Sequence, residues 1–117
     1  MEQYRDLKRY KNIKEFIQQL QTEKLEQIIQ LLVDEGYITL PELLQVRTKK
    51  ADVCHARRLV SFLARWKYNI DGSIIARRLN LAESQVYAII YSTFHNIQVE
   101  PEYRKEIERL KEKLKCI

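Results

Sequence analysis

Cys54 and His55 are neighbours. A thiol beside an imidazole is the first pairing to test for nucleophilic chemistry. Adjacent helical residues point about 100° apart, so the two cannot pass a proton between them. His95 stands alone, and Cys54, His55, His95 and Cys116 show none of the short paired spacings of a zinc site. No G-x-x-x-x-G-K-[ST] run occurs, and two glycines cannot build such a phosphate loop. These residues point away from an enzyme, from ATP hydrolysis and from any cofactor. The two cysteines read as reduced thiols of a cytoplasmic protein.

Basic residues offer a different chemistry. Between Arg47 and Leu81 lie nine Lys or Arg against two Asp, a net of +7 within a chain whose total is +5. The remainder of the chain is therefore −2. Such a concentration suits a polyanion. Arg47, Lys49, Lys50, Arg65, Lys67, Arg77 and Arg78 are candidates for phosphate contacts, which supply most non-specific affinity for DNA. Arg77 and Arg78 diverge by about 100° on a helix, so they are not expected to share one partner. The Asp71-Gly72-Ser73 start of a helix offers either backbone N–H groups for a phosphate or an ordinary Asp71 cap.

The elements that must position these groups are all helical. With 45% hydrophobic and 32% charged residues and only two Gly and two Pro, the composition is that of a globular all-α domain. The N-terminus, MEQYRDLKRYKNIKEF, is too charged for a signal peptide. Leu7, Tyr10, Ile13, Ile17 and Leu20 define one face of an amphipathic helix over residues 1–22, free to pack on the domain, to self-associate or to dock a partner. Residues 23–117 form the main domain. Thr22 is expected to cap its first helix, which Gly36 ends. Thr39 caps a short helix with Pro41 in its first turn. A longer helix runs from about Ala51 to Lys67, with Val53, Ala56, Leu59, Val60, Leu63 and Trp66 facing the core and Cys54, Arg58, Ser61 and Arg65 opposite. Asn69 or Asp71 opens the next helix. Asn80 and Glu83 have capping-box spacing, placing another start near Leu81. Pro101 opens the last helix, with Tyr103, Ile107, Leu110 and Leu114 facing inward.

The segments IIQLLVDEGYITLPELLQVRTKK, VCHARRLVSFLAR, NIDGSIIARRLN and VEPEYRKEIERLKEKL follow one another almost without gaps. In that order they resemble the C-terminal DNA-binding domain of the bacterial chromosomal replication initiator DnaA, over about Glu26 to Leu114. The resemblance implies a Trp-repressor-like helix-turn-helix. It places Arg57 where the family reaches into a minor groove, and Arg47, Lys49 and Lys50 in the family's basic loop. His55 takes a basic position near phosphate. The helix from about Ala82 takes the place of the one that enters the major groove. The family's signature there is a basic residue followed by Asp-His-Thr-Thr-Val. Here the run is Leu81-Ala82-Glu83-Ser84-Gln85-Val86, which keeps only the Val.

Base reading would then fall to Ala82, Ser84, Gln85 and Ala88. Gln pairs bidentately with adenine, Ser donates or accepts, and Ala meets a thymine methyl. The expectation is a double-stranded DNA-binding protein, sequence-specific, in replication or transcription control. The competing reading is a protein-interaction module that kept this fold and lost base readout.

Overall fold

The computed structural model describes residues 12–45 and 50–115. Arg47, Lys49, Cys116 and the first eleven residues lie outside them. The described residues form six helices: α1 (Ile13–Asp34), α2 (Leu40–Leu43), α3 (Ala51–Tyr68), α4 (Gly72–Leu79), α5 (Glu83–Val99) and α6 (Pro101–Lys115). The expected all-α class is the observed one.

Asn12 caps α1, its side chain accepting from the Glu15 N–H at 2.9 Å. No break follows at residue 22. The Thr22 hydroxyl donates to the Gln18 carbonyl at 2.8 Å, one turn back in the same helix. A threonine can satisfy its hydroxyl this way mid-helix, and neither Gly nor Pro nearby offers an exit. The expected cap and the expected division at 22/23 therefore fall inside one continuous helix. Only its second half is buried, through Leu25, Ile28, Ile29 and Leu32. The chain leaves α1 at Gly36, whose φ of +78° suits a residue without Cβ.

Helix α3 is the hub, touching α1, α2, α4 and α5. Surrounded in this way it buries more than one stripe: Phe62, Ala64 and Ser61 are inside along with Val53, Ala56, Leu59, Val60 and Leu63. Ser61 was expected outside, but a residue this small fits between closely packed helices. Trp66 departs in the other direction. It was expected in the core and is 46% exposed. It lies in the last turn of α3, where the ring is covered instead by Lys111 of α6, whose ammonium stands 4.1 Å from the ring centroid.

Asp71 caps α4 by accepting from the Ser73 N–H at 3.1 Å. This is the ordinary-cap reading of the Asp71-Gly72-Ser73 start. Gly72 lies under the ring of Tyr87, whose hydroxyl accepts from the Gly72 N–H at 3.3 Å. The Arg65 guanidinium stands 5.8 Å from that ring's centroid, so one tyrosine ties α3, α4 and α5 together. A Cβ at position 72 would meet Tyr87 ring carbons at 2.6 Å. Gly72→Ala is expected to cost about 1–3 kcal/mol, as overpacking does, read as a lowered urea midpoint with unchanged slope.

Candidate nucleic-acid interface

Helices α4 and α5 are joined by the three residues Asn80, Leu81 and Ala82. Asn80 adopts the left-handed conformation, φ 59°, which Asn tolerates better than most residues. It is thereby used as the end of α4, and its side-chain N–H2 turns away to donate to the Leu44 carbonyl at 3.3 Å. The capping box expected from Asn80 and Glu83 does not form. Helix α5 starts two residues later, at Glu83. There the Gln85 side-chain carbonyl accepts the Ala82 N–H at 2.9 Å.

This start is open to solvent: Ala82, Glu83, Ser84, Gln85 and Ala88 are all exposed. While the Gln85 carbonyl is held by Ala82, its amide N–H2 remains to meet a base. A bidentate adenine contact requires releasing that bond. Helix α5 carries no Lys or Arg, and its outer face ends in exposed Tyr91, Phe94 and Val99.

The Asn80–Leu44 bond brings the α4–α5 turn against the end of α2. From there the chain enters the basic segment that begins at Arg47, and Lys50, the first described residue after it, is exposed. Arg57 fixes this corner from below. Its Nε donates to the Leu43 carbonyl at 3.2 Å and its Nη2 donates to the Gln45 carbonyl. It is only 6% exposed. The resemblance implies a reach into a minor groove for Arg57; in the structure its guanidinium is turned inward and bonded to two backbone carbonyls at the end of α2.

The other cations do not gather around this corner. Arg65 donates to the Ile70 carbonyl at 3.3 Å. Arg78 forms a two-pronged pair with Glu26 of α1 through its Nε and Nη2. Arg65, Arg77 and Arg78 all border hollows along α1. Among the described residues, Arg57, Arg65 and Arg78 are near in sequence and turned to different partners.

His55 belongs to a further corner. Its Nε2 lies 2.7 Å from Glu106 Oε1, and Tyr37 donates to the other Glu106 oxygen at 3.0 Å. The ring stands edge-on to Tyr103, with centroids 5.5 Å apart. Sequence reasoning put His55 beside phosphate. The structure joins it to α6, through partners about fifty residues away that no local motif announces. Arg109 extends this corner, donating to the Tyr37 hydroxyl at 2.5 Å and to Glu35 at 3.2 Å. Burial, then Glu106, pushes the Tyr37 phenol up.

The Lys113 ammonium, 2.6 Å from Glu35 Oε1, and Arg109 beside it hold the Glu35 carboxyl below the usual carboxylate range. Among the described residues no three His, Cys, Asp or Glu side chains converge as metal ligands, and no helix is long and apolar enough to cross a membrane. Comparison with protein-family models, with curated proteins and with solved structures finds no match to this chain.

Two outcomes are expected. Arg57→Ala leaves the Leu43 and Gln45 carbonyls without their donor and should cost about 1–3 kcal/mol, measured by urea unfolding. Glu35 has a depressed folded pKa, so its contribution is full above the unfolded value and fades as pH falls through the folded one. The stability gap between wild type and Glu35→Gln should therefore shrink as pH falls through and below the ordinary carboxylate range; an unchanged gap would remove Glu35 from the acid response.

Proposed function

We propose that this protein binds double-stranded DNA, using α4 and α5 as a helix-turn-helix, in a replication- or transcription-linked role in the cytoplasm and without ATPase activity. One observation carries the reading. The exposed, mostly uncharged start of α5 is tied through Asn80 to Leu44, three residues before the basic segment opens at Arg47. A surface of small polar and apolar side chains that can meet base edges is thus tied to Leu44, after which the sequence supplies cations that can hold phosphates. The resemblance to the DnaA C-terminal domain supports the same division of labour. Ala82, Ser84, Gln85 and Ala88 are the readers in this proposal. Arg47, Lys49 and Lys50 are the phosphate contacts, and Arg57 holds the end of α2 that precedes them in sequence. Because the family's base-contacting residues are replaced, the preferred site differs from the usual origin box.

A second reading is favoured by α5 itself, which lacks any Lys or Arg and exposes Tyr91 at 72%. That surface suits a protein-interaction module that has lost base readout.

Selection of bound duplexes from a random library, followed by salt titration, separates the two. The first reading expects a consensus sequence. Lys50→Glu should weaken binding across sequences and reduce the salt slope by about one, while Gln85→Ala should change the preferred sequence more than the affinity. Absence of duplex binding even at low salt would leave the interaction module.

A further inference from the structure

The first half of α1 is an apolar edge with nothing from the described core laid over it. Ile13 and Ile17, one turn apart, are 65% and 46% exposed. They form one wall of a groove of about 510 Å³, and Ile74 of α4 stands on the other side, with Gln21, Arg65 and Asn69 along its length. Past Gln18 and Ile74 the groove continues into a second hollow of about 280 Å³ that reaches Arg77 and Arg78.

The charge around it is predominantly positive, with Lys14, Arg65, Arg77 and Arg78 against Asp71. Lys14 and Arg77 are exposed, and neither makes an ion pair with a described residue. Asp71 also lines the groove and keeps its charge while capping α4, and Glu26 is paired with Arg78, so cations outnumber acids there. An apolar floor with cationic rims matches a helix that presents apolar residues at i, i+3, i+4 and i+7 between acidic flanks. DNA would leave the isoleucines without a use. A second copy of the chain meeting this patch about a two-fold axis would set like charges against each other, since both sides of such a contact are the same surface.

We propose that the groove between α1 and α4 docks an acidic amphipathic helix of a partner protein. This does not depend on the DNA reading, which stands on the α4–α5 turn and on different residues.

The test uses the full chain and a fluorescent synthetic helix with leucines at that helical spacing and glutamates on both flanks. A peptide of the same composition with its leucines scrambled is the control. Fluorescence anisotropy should show binding of the patterned peptide and roughly tenfold weaker binding of the scrambled one. Ile17→Asp and Arg77→Glu should each weaken binding by about the same factor. Both side chains are exposed, so melting temperatures near wild type would show that the variants fold. Lys14→Glu provides a further exposed variant with the same expectation. The proposal is overturned if both peptides bind alike, if neither binds, or if Ile17→Asp leaves binding intact. Concentration-dependent dimerisation abolished by Ile17→Asp would assign the groove to a second copy. Displacement of the peptide by duplex DNA, lost in Arg77→Glu, would assign it to nucleic acid. Either result overturns the proposal.

Discussion

A guanidinium buried beneath the end of α2 fixes the path of the chain over residues 43–45. Arg57 is enclosed and donates to the carbonyls of Leu43 and Gln45. A buried charge is tolerable only when its donors are satisfied, so the path of the chain at 43–45 and the rotation of α3 determine one another. Asn80 then reads the result: its side chain reaches the Leu44 carbonyl between those two. The α4–α5 turn is therefore registered against α2 by neighbouring carbonyls of one short stretch. Disturbing the α3 arginine would alter the relation between the open start of α5 and the end of α2 without touching the α4–α5 turn itself.

The same α3 helix explains why charge that is dense in sequence becomes dispersed in space. A helix surrounded by several neighbours sends its polar side chains to different ones of them. Arg57 goes to α2, His55 to α6, and Arg65 to the start of α4. Arg78 is drawn to Glu26 of α1. A net positive stretch is informative about which partners a protein can attract. It does not say that one face carries the charge.

Much of the fold was legible because it rests on local rules. The spacing of Leu25, Ile28, Ile29 and Leu32, the stop at Gly36, the Thr39 and Asp71 caps and the Pro101 start all follow from period and cap chemistry. The errors arose where two local readings competed or where a distant partner decided. Thr22 suits both a cap and a mid-helix hydroxyl bond, and the absence of a breaker chose the second. Asn80 could have started α5 but was taken to end α4, leaving Gln85 to stabilise the next start. Trp66 and His55 were decided by α6, through Lys111 and Glu106, whose distance along the chain leaves no periodic trace. The exposure of the candidate readers at the start of α5 was legible from its period, but the inward turn of Arg57 required the positions of two carbonyls.

The continuity of α1 through Thr22 has a mechanical side. Twenty-two residues of unbroken helix make a rod of about 33 Å. Its rotation is locked at one end by Leu25, Ile28 and Leu32 in the core. The direction in which the isoleucine edge faces is therefore a phase angle, counted out from those buried residues at about 100° per residue. One residue inserted near Thr22 would turn Ile13 and Ile17 away from Ile74 by about a quarter of a revolution while leaving every buried contact of the rod in place. The separation between the anchored end and the open end is in this sense a length, and their mutual orientation is an integer.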